Sequence, residues 1–204
     1  MIRLDHVIAE VEDIEQAMAG MAAAGYPTAW PVGPFWPGAL TSGVSVGTFN
    51  VELYQPLDRD PARPLIRTLV YEPESVEHAC SALDRFGIAY EVREKVEPDP
   101  SLLRLRGFSE TESEVPQPIC TNVVPLDPPF PFFFCEYAPA LKRRLAPGRF
   151  TVPHQVRELV YGLRDRPLAL ELGLEAPPLR FVEAAEDGVV RTEPDLLSIL
   201  DSVR

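Results

Sequence analysis

The sequence predicts an α+β fold: two tandem βαβββ modules whose strands form a curled mixed sheet around a cleft, followed by a C-terminal accessory region. Three observations predict it. Residues 4–26 and 66–88 align without a gap at an offset of 62. In each copy a short stretch rich in Val, Ile and Leu leads into an amphipathic helix and then into further strand-like segments. The 23 prolines among 204 residues are more than twice the usual share of about 5%. Yet they are absent from residues 1–26 and from 74–97, so they punctuate the chain and do not permeate it.

The elements follow in order. Residues 4–11 and 66–73 read as first strands. The helices after them carry apolar faces of Ile14, Met18, Met21 and Ala22, and of Val76, Cys80, Leu83 and Phe86, mostly at three- and four-residue steps. Glu12, Asp13 and Glu15 crowd one first turn, Glu74 and Glu77 the other, as the helix dipole favours. Gly25 and Gly87 are the expected C-terminal caps. Strands are expected at 28–32, 42–46 and 49–55, with a turn at Gly47 and Thr48. The second module repeats this at 89–93, 119–124 and 132–138, with a turn through Pro128 and Pro129. The stretch 94–118, rich in Glu, Ser and Pro, reads as a long loop within it, a lid or binding loop if ordered. The modules thus span 1–60 and 61–140, and the accessory region spans 141–204.

Residues 156–161 align with 66–71 at an offset of 90. A short helix at 167–174, a hairpin of 179–184 and 189–192 turning at Asp187 and Gly188, and a helix at 195–204 come next. This is either a partial third βαββ unit or a chance likeness of strand-helix text.

Composition excludes several functions. Charge is 19 − 31 = −12. No basic cluster exceeds Lys142, Arg143 and Arg144, which argues against nucleic acid and against anionic membrane surfaces. The acidic balance would suit a cationic ligand. No apolar run approaches the roughly 18 residues of a membrane span, and the acidic start has no secretory h-region, so a cytoplasmic protein is expected. Cys80, Cys120 and Cys135 lack CxxC spacing and read as reduced thiols.

The order of Asp5, His6 and Val7 (DHV), the 62-residue repeat, VELYQP at 51–56 and CEYAP at 135–139 resembles the vicinal oxygen chelate superfamily. That group includes glyoxalase I, methylmalonyl-CoA epimerase and the bleomycin-binding proteins. Pro131, three phenylalanines, Cys135 and Glu136 resemble the last strand of its glyoxalase-like domain branch. The resemblance covers residues 2–140. It implies metal ligands on the first and last strands of each module: His6, Glu52 and Glu136. The position of a fourth, often His, falls on Thr68. A divalent metal (Zn, Mn, Ni or Fe) would therefore have an incomplete set, completed by water, substrate or a residue such as His154 or Glu158. Glu136 and Glu52 are the expected catalytic carboxylates.

Strand alternation groups Leu4, His6 and Ile8; Asn50, Glu52 and Tyr54; and Phe132, Phe134 and Glu136. Asn50, Tyr54, Thr68, Phe134 and Trp36 are the expected substrate-binding residues. Asp5 and Arg67, at equivalent positions, are expected to pair across the module seam. The resulting expectation is a lyase or isomerase that transfers a proton beside a carbonyl of a small oxygenated ligand, as monomer or homodimer. The alternative is a metal-free sequestering protein of the bleomycin-resistance type.

Overall fold

The computed structural model describes residues 2–62, 65–146 and 149–201. Its elements are β1 (Arg3–Glu10), α1 (Ile14–Ala23), β2 (Thr28–Trp36), β3 (Ala39–Ser45), β4 (Asn50–Pro56), β5 (Ile66–Glu72), α2 (Val76–Arg85), β6 (Tyr90–Glu97), α3 (Pro100–Leu105), β7 (Gln117–Pro125), β8 (Phe132–Tyr137) and α4 (Pro139–Leu145). They are followed by β9 (Glu158–Leu163), α5 (Arg166–Glu171), β10 (Leu179–Glu183), β11 (Gly188–Glu193) and α6 (Leu196–Asp201). Residues 202–204 of the expected last helix lie outside the described residues. The fold is α+β. A curled mixed sheet runs β2-β3-β4-β1-β5-β8-β7-β6, and a second sheet runs β10-β9-β11. Among the described residues no helix is long and apolar enough to cross a membrane.

Local chemistry sets the helix limits. α1 and α2 start and stop 62 residues apart, at 14 and 76 and at 23 and 85. Asp13 and Ser75 cap them by accepting from the backbone N–H of Gln16 and His78. At the other end the chain must turn through positive φ, which Gly25 (87°) and Gly87 (65°) supply. Tyr26 and Ile88 then donate back to Met21 and Leu83, closing the same C-terminal motif twice.

β1 and β5 meet antiparallel at the centre, and each is parallel to the last strand of its own half. Leu4 pairs with Tyr71 and His6 with Val70, so Asp5 is an extra residue, a bulge. The bulge changes the faces expected from strict alternation. Leu4 joins the helix-side core, while Asp5 contacts the His6 ring. The expected Asp5–Arg67 pair does not form, because Asp5 is engaged by His6 and Arg3.

β2 runs on to Trp36, beyond the expected end at residue 32. As an edge strand it tolerates Pro31 and Pro34, whose missing N–H groups have no neighbour to serve. The stretch 94–118 is not a structureless loop. β6 continues to Glu97, Asp99 caps α3 with Pro100 in its first turn, and a 3-10 turn follows at Glu112–Glu114. Leu103 and Phe108 bury themselves against Trp30, Phe35, Ile119 and Leu141 in a second apolar cluster. This packing ties the segment over the mouth of the cleft.

In the C-terminal region β10 and β11 are not paired with each other. Both flank β9, β10 in parallel, with α5 as the crossover. The expected hairpin is thereby corrected: β9 has Leu159, Val160, Tyr161 and Leu163 buried and takes the central place. Tyr161 packs tilted against Phe130 and edge-on to Phe181 and donates to the Arg67 carbonyl, which joins this unit to the core under β5.

Gly43 on β3 shows how tightly the cleft wall is packed. A Cβ there would fall inside the Trp30 indole. Gly43→Ala is expected to destabilise the protein by about 1–3 kcal/mol, typical of an overpacked core, measured as a lowered urea midpoint at unchanged slope. An unchanged midpoint would show that Trp30 does not lie across β3.

Candidate active site in the cleft

A cavity of about 50 Å³ lies on the concave face of the large sheet, several times the roughly 10–15 Å³ that one water needs. It is lined by side chains from both halves, among them His6, Trp36, Glu52, Lys95, Arg106 and Phe133. His6 and Glu52 line it, and with Asp5 behind His6 they form a chain of three ionisable groups. Asp5, His6 and Glu52 are only 4%, 3% and 5% exposed. The Nδ1 of His6 lies 2.7 Å from Asp5 Oδ2 and its Nε2 lies 3.2 Å from Glu52 Oε2. The indole Nε1–H of Trp36 donates to the other Glu52 oxygen at 3.1 Å. Trp30 and Phe133 meet the imidazole edge-on, with ring centroids 6.4 and 6.5 Å away.

This arrangement decides the charge of His6. Burial opposes the imidazolium, but hydrogen bonds and charge from Asp5 and Glu52 outweigh it and push its pKa up to about 9. At neutral pH both ring nitrogens therefore donate.

Opposite Glu52 stand two cations. Lys95 donates to the Phe35 carbonyl and lies 5.0 Å from the Trp36 ring centroid. Arg106 stacks 4.0 Å above Phe35, and its Nε has no hydrogen-bond partner. Burial holds both cations below their ordinary pKa, and for Lys95 the nearby Arg106 charge adds to this. Neither forms an ion pair among the described residues. An acidic chain thus presents cations to its cleft, against the expectation of a cationic ligand: net charge does not report the sign of a site.

The expected site residues divide. His6 and Glu52 are in contact at the floor, and Trp36 forms wall and hydrogen-bond donor. Tyr54 and Thr68 line a neighbouring cavity of about 260 Å³, which shares Trp36 and Phe133 with the first. Asn50 is buried and donates to the Leu145 carbonyl, which orders the end of α4. Glu136 and Phe134 lie elsewhere. β8 turns Phe133, Cys135 and Tyr137 to the cavity, and Phe132, Phe134 and Glu136 to the helix side. The Glu136 carboxylate accepts from the Val76 N–H at the start of α2, 2.8 Å away, where the helix dipole favours an anion. It belongs to no shared set with His6.

The residues present do not fit a divalent metal. With Glu136 turned away, and both His6 nitrogens held by carboxylates, the three predicted donors cannot converge. Among the described residues no group of three His, Cys, Asp or Glu side chains could hold an ion. His154 is exposed, and Glu158 pairs with Arg180 and Arg191. Asp5 is expected to pair with Arg67 and not with His6, but a bulge re-aims it, and Lys95 and Arg106 fall in a segment expected to be a loop.

No protein-family model matches the chain, and no curated protein does. Solved structures do. A hypothetical protein from Staphylococcus aureus superposes with a TM-score of 0.61 at 9% identity, over 94% of this chain and 90% of that one. Its likeness is one of fold, and it takes in most of residues 141–204 as well. Methylmalonyl-CoA epimerase from Mycobacterium tuberculosis gives a TM-score of 0.43 at 16% identity, covering 69% of this chain and 91% of its own. A hypothetical protein from Bacillus halodurans gives 0.42 at 15%, covering 67% and 95%.

The charged His6 makes a pH prediction. Its pKa is raised from 6.5 to about 9 in the fold, so its stabilisation is fully present below pH 6.5 and is lost as pH rises through about 9. The expected loss is about 3 kcal/mol, read from urea unfolding at pH 6.5, 8 and 9.5. His6→Gln should remove that pH dependence; a variant that keeps the wild-type slope would place the titration elsewhere.

Proposed function

We propose that the chain is a glyoxalase-like enzyme of the vicinal oxygen chelate type, an isomerase or lyase that moves a proton beside the carbonyl of a small oxygenated substrate. The observation that carries this reading is the buried Glu52 carboxylate at the cavity floor, held by His6 and Trp36 and faced by two cations. A carboxylate has about four lone-pair sites. Two are taken by these donors, and the rest are free for a proton from the substrate.

In the proposed step Glu52 accepts the proton from the carbon next to the carbonyl. The C–H electron pair moves onto the carbonyl oxygen, giving an enolate. Once the enolate has turned over in the site, Glu52 returns the proton to its other face and the substrate is isomerised; if instead the enolate expels a leaving group from the adjacent carbon with its electron pair, the reaction is that of a lyase and Glu52 passes its proton to the leaving group. Lys95 and Arg106 face the growing negative charge in a site with little water, where fixed charges act most strongly. Asp5 and His6 are positioning residues that hold the Glu52 carboxylate in one orientation. No step is routed through a metal, since the donors do not converge on one.

A second reading is supported by one observation. Each Glu52 oxygen already accepts a hydrogen bond, and Trp30, Phe35, Trp36, Phe133 and Tyr137 give the walls aromatic surface, as a sequestering protein would have it. The two readings separate in deuterium oxide. Wild-type protein incubated with a panel of small carbonyl compounds is expected to exchange the adjacent C–H for C–D, followed by proton NMR. Glu52→Gln should lower that rate at least about 100-fold, the smaller end of a general base's contribution. Binding without exchange by the wild type would favour sequestration, and an unchanged rate in the variant would remove Glu52 from the mechanism.

A further inference from the structure

Two cations, Lys95 and Arg106, line the cavity beside Glu52. Lys95 comes from β6 and Arg106 from the end of α3, so two separate elements aim cations at one small space beside Glu52. Each is half-buried and rests on an aromatic ring, and neither has a carboxylate partner among the described residues. Burying unpaired cations is costly, so an arrangement that keeps two of them together calls for an anion. Glu97, buried on the same face of β6 as Lys95, contributes charge nearby, but it does not line the cavity and accepts from the Asp99 N–H. The buried Arg106 Nε and Asn122 Oδ1 are both without a hydrogen-bond partner at the cavity wall.

A second feature points the same way. A pocket of about 220 Å³ adjoins the cavity, sharing Trp30, Arg106 and Leu145 with it, and Arg144 and Arg149 line its outer part. In a chain of net charge −12, three arginines along one path form a local positive field that draws in and orients an anion. Arg144 is held by Glu112, while Arg149 donates to the Arg144 carbonyl.

We infer that Lys95 and Arg106 form a carboxylate-binding subsite, and that the substrate is a small carboxylic acid whose carboxylate docks there with its reactive carbon towards Glu52. The guanidinium matches a carboxylate two bonds at a time, and the ammonium adds a compact charge. The cavity volume limits the inner part of the ligand to a few heavy atoms, and the arginine-lined pocket adjoins it on the Arg106 side. This names the substrate class for the proton-transfer reading and rests on it for the role of Glu52, but not for the binding itself.

The test uses pyruvate and malonate as probes, with pyruvamide and malonamide as uncharged counterparts. Binding is followed by tryptophan fluorescence, since Trp36 touches both Lys95 and Glu52, and by calorimetry. Wild-type protein should bind at least one acid tenfold or more tighter than its amide. Arg106→Gln and Lys95→Gln should each weaken that binding at least tenfold. Glu52→Gln should bind the acid as well as wild type or better, because it removes a negative charge. Circular dichroism checks the fold of each variant; if Arg106→Gln does not fold, Lys95→Gln decides. Equal affinity for acids and amides, no binding of either acid, or full affinity in a folded Lys95→Gln would overturn the subsite. Charge-selective binding with no deuterium exchange in any compound would uphold the subsite and overturn the proton-transfer reading instead.

Discussion

A buried imidazolium between two buried carboxylates is the interaction on which the rest of the cleft depends. Each group alone would be expensive to remove from water; together they satisfy one another. The chain Asp5–His6–Glu52 crosses from β1 to β4, at the centre of the large sheet. It exists only because β1 bulges at Asp5 and re-aims that side chain beside His6. Removing His6 would leave two buried carboxylates without their shared cation, and breaking a buried pair in this way typically costs about 3–5 kcal/mol. The site and the sheet are for that reason one mechanical unit.

The surrounding layers protect this unit. Glycine at position 43 lets Trp30 lie flat across β3, and Trp30 and Phe35 form the floor on which α3 settles. α3 brings Arg106, and the extended β6 brings Lys95, so the segment that closes the cleft also supplies its cations. On the far face of the sheet Phe132 and Phe134 of β8 pack with Tyr71, and Phe132 stacks on Phe130, which meets Tyr161 and Phe181 of the C-terminal unit. That unit packs behind the sheet, and among the described residues none of β9, β10 or β11 lines the cavity.

Much of this architecture is legible in the amino-acid sequence. Helix limits follow from Asp13, Ser75, Gly25 and Gly87, because caps are local chemistry. His6 and Glu52 follow from the resemblance to the vicinal oxygen chelate pattern. Glu136 does not, and the reason is general. Alternation says that Phe132, Phe134 and Glu136 share a face, but not which face, and one choice turns an expected catalytic acid into a helix-capping one. Asp5 is hidden because a bulge breaks the period of two. Lys95 and Arg106 are hidden by composition: Glu, Ser and Pro around them read as loop, although Asp99 and Pro100 are a sound helix start and Leu103 and Phe108 supply the buried contacts. The hairpin expected at residues 179–192 fails for another reason. An Asp-Gly turn permits pairing, but a third, more apolar strand competes for the central position.

The cleft depends on a His6 that is charged at neutral pH, and the imidazole reports this directly. Titration of its ring nitrogens and Cε1–H by heteronuclear NMR, on isotopically labelled protein, should show a doubly protonated ring through pH 7.5 and a transition near about 9. A His6 ring that is already neutral at pH 7, with one bare nitrogen, would contradict the charged chain and with it the orientation of Glu52.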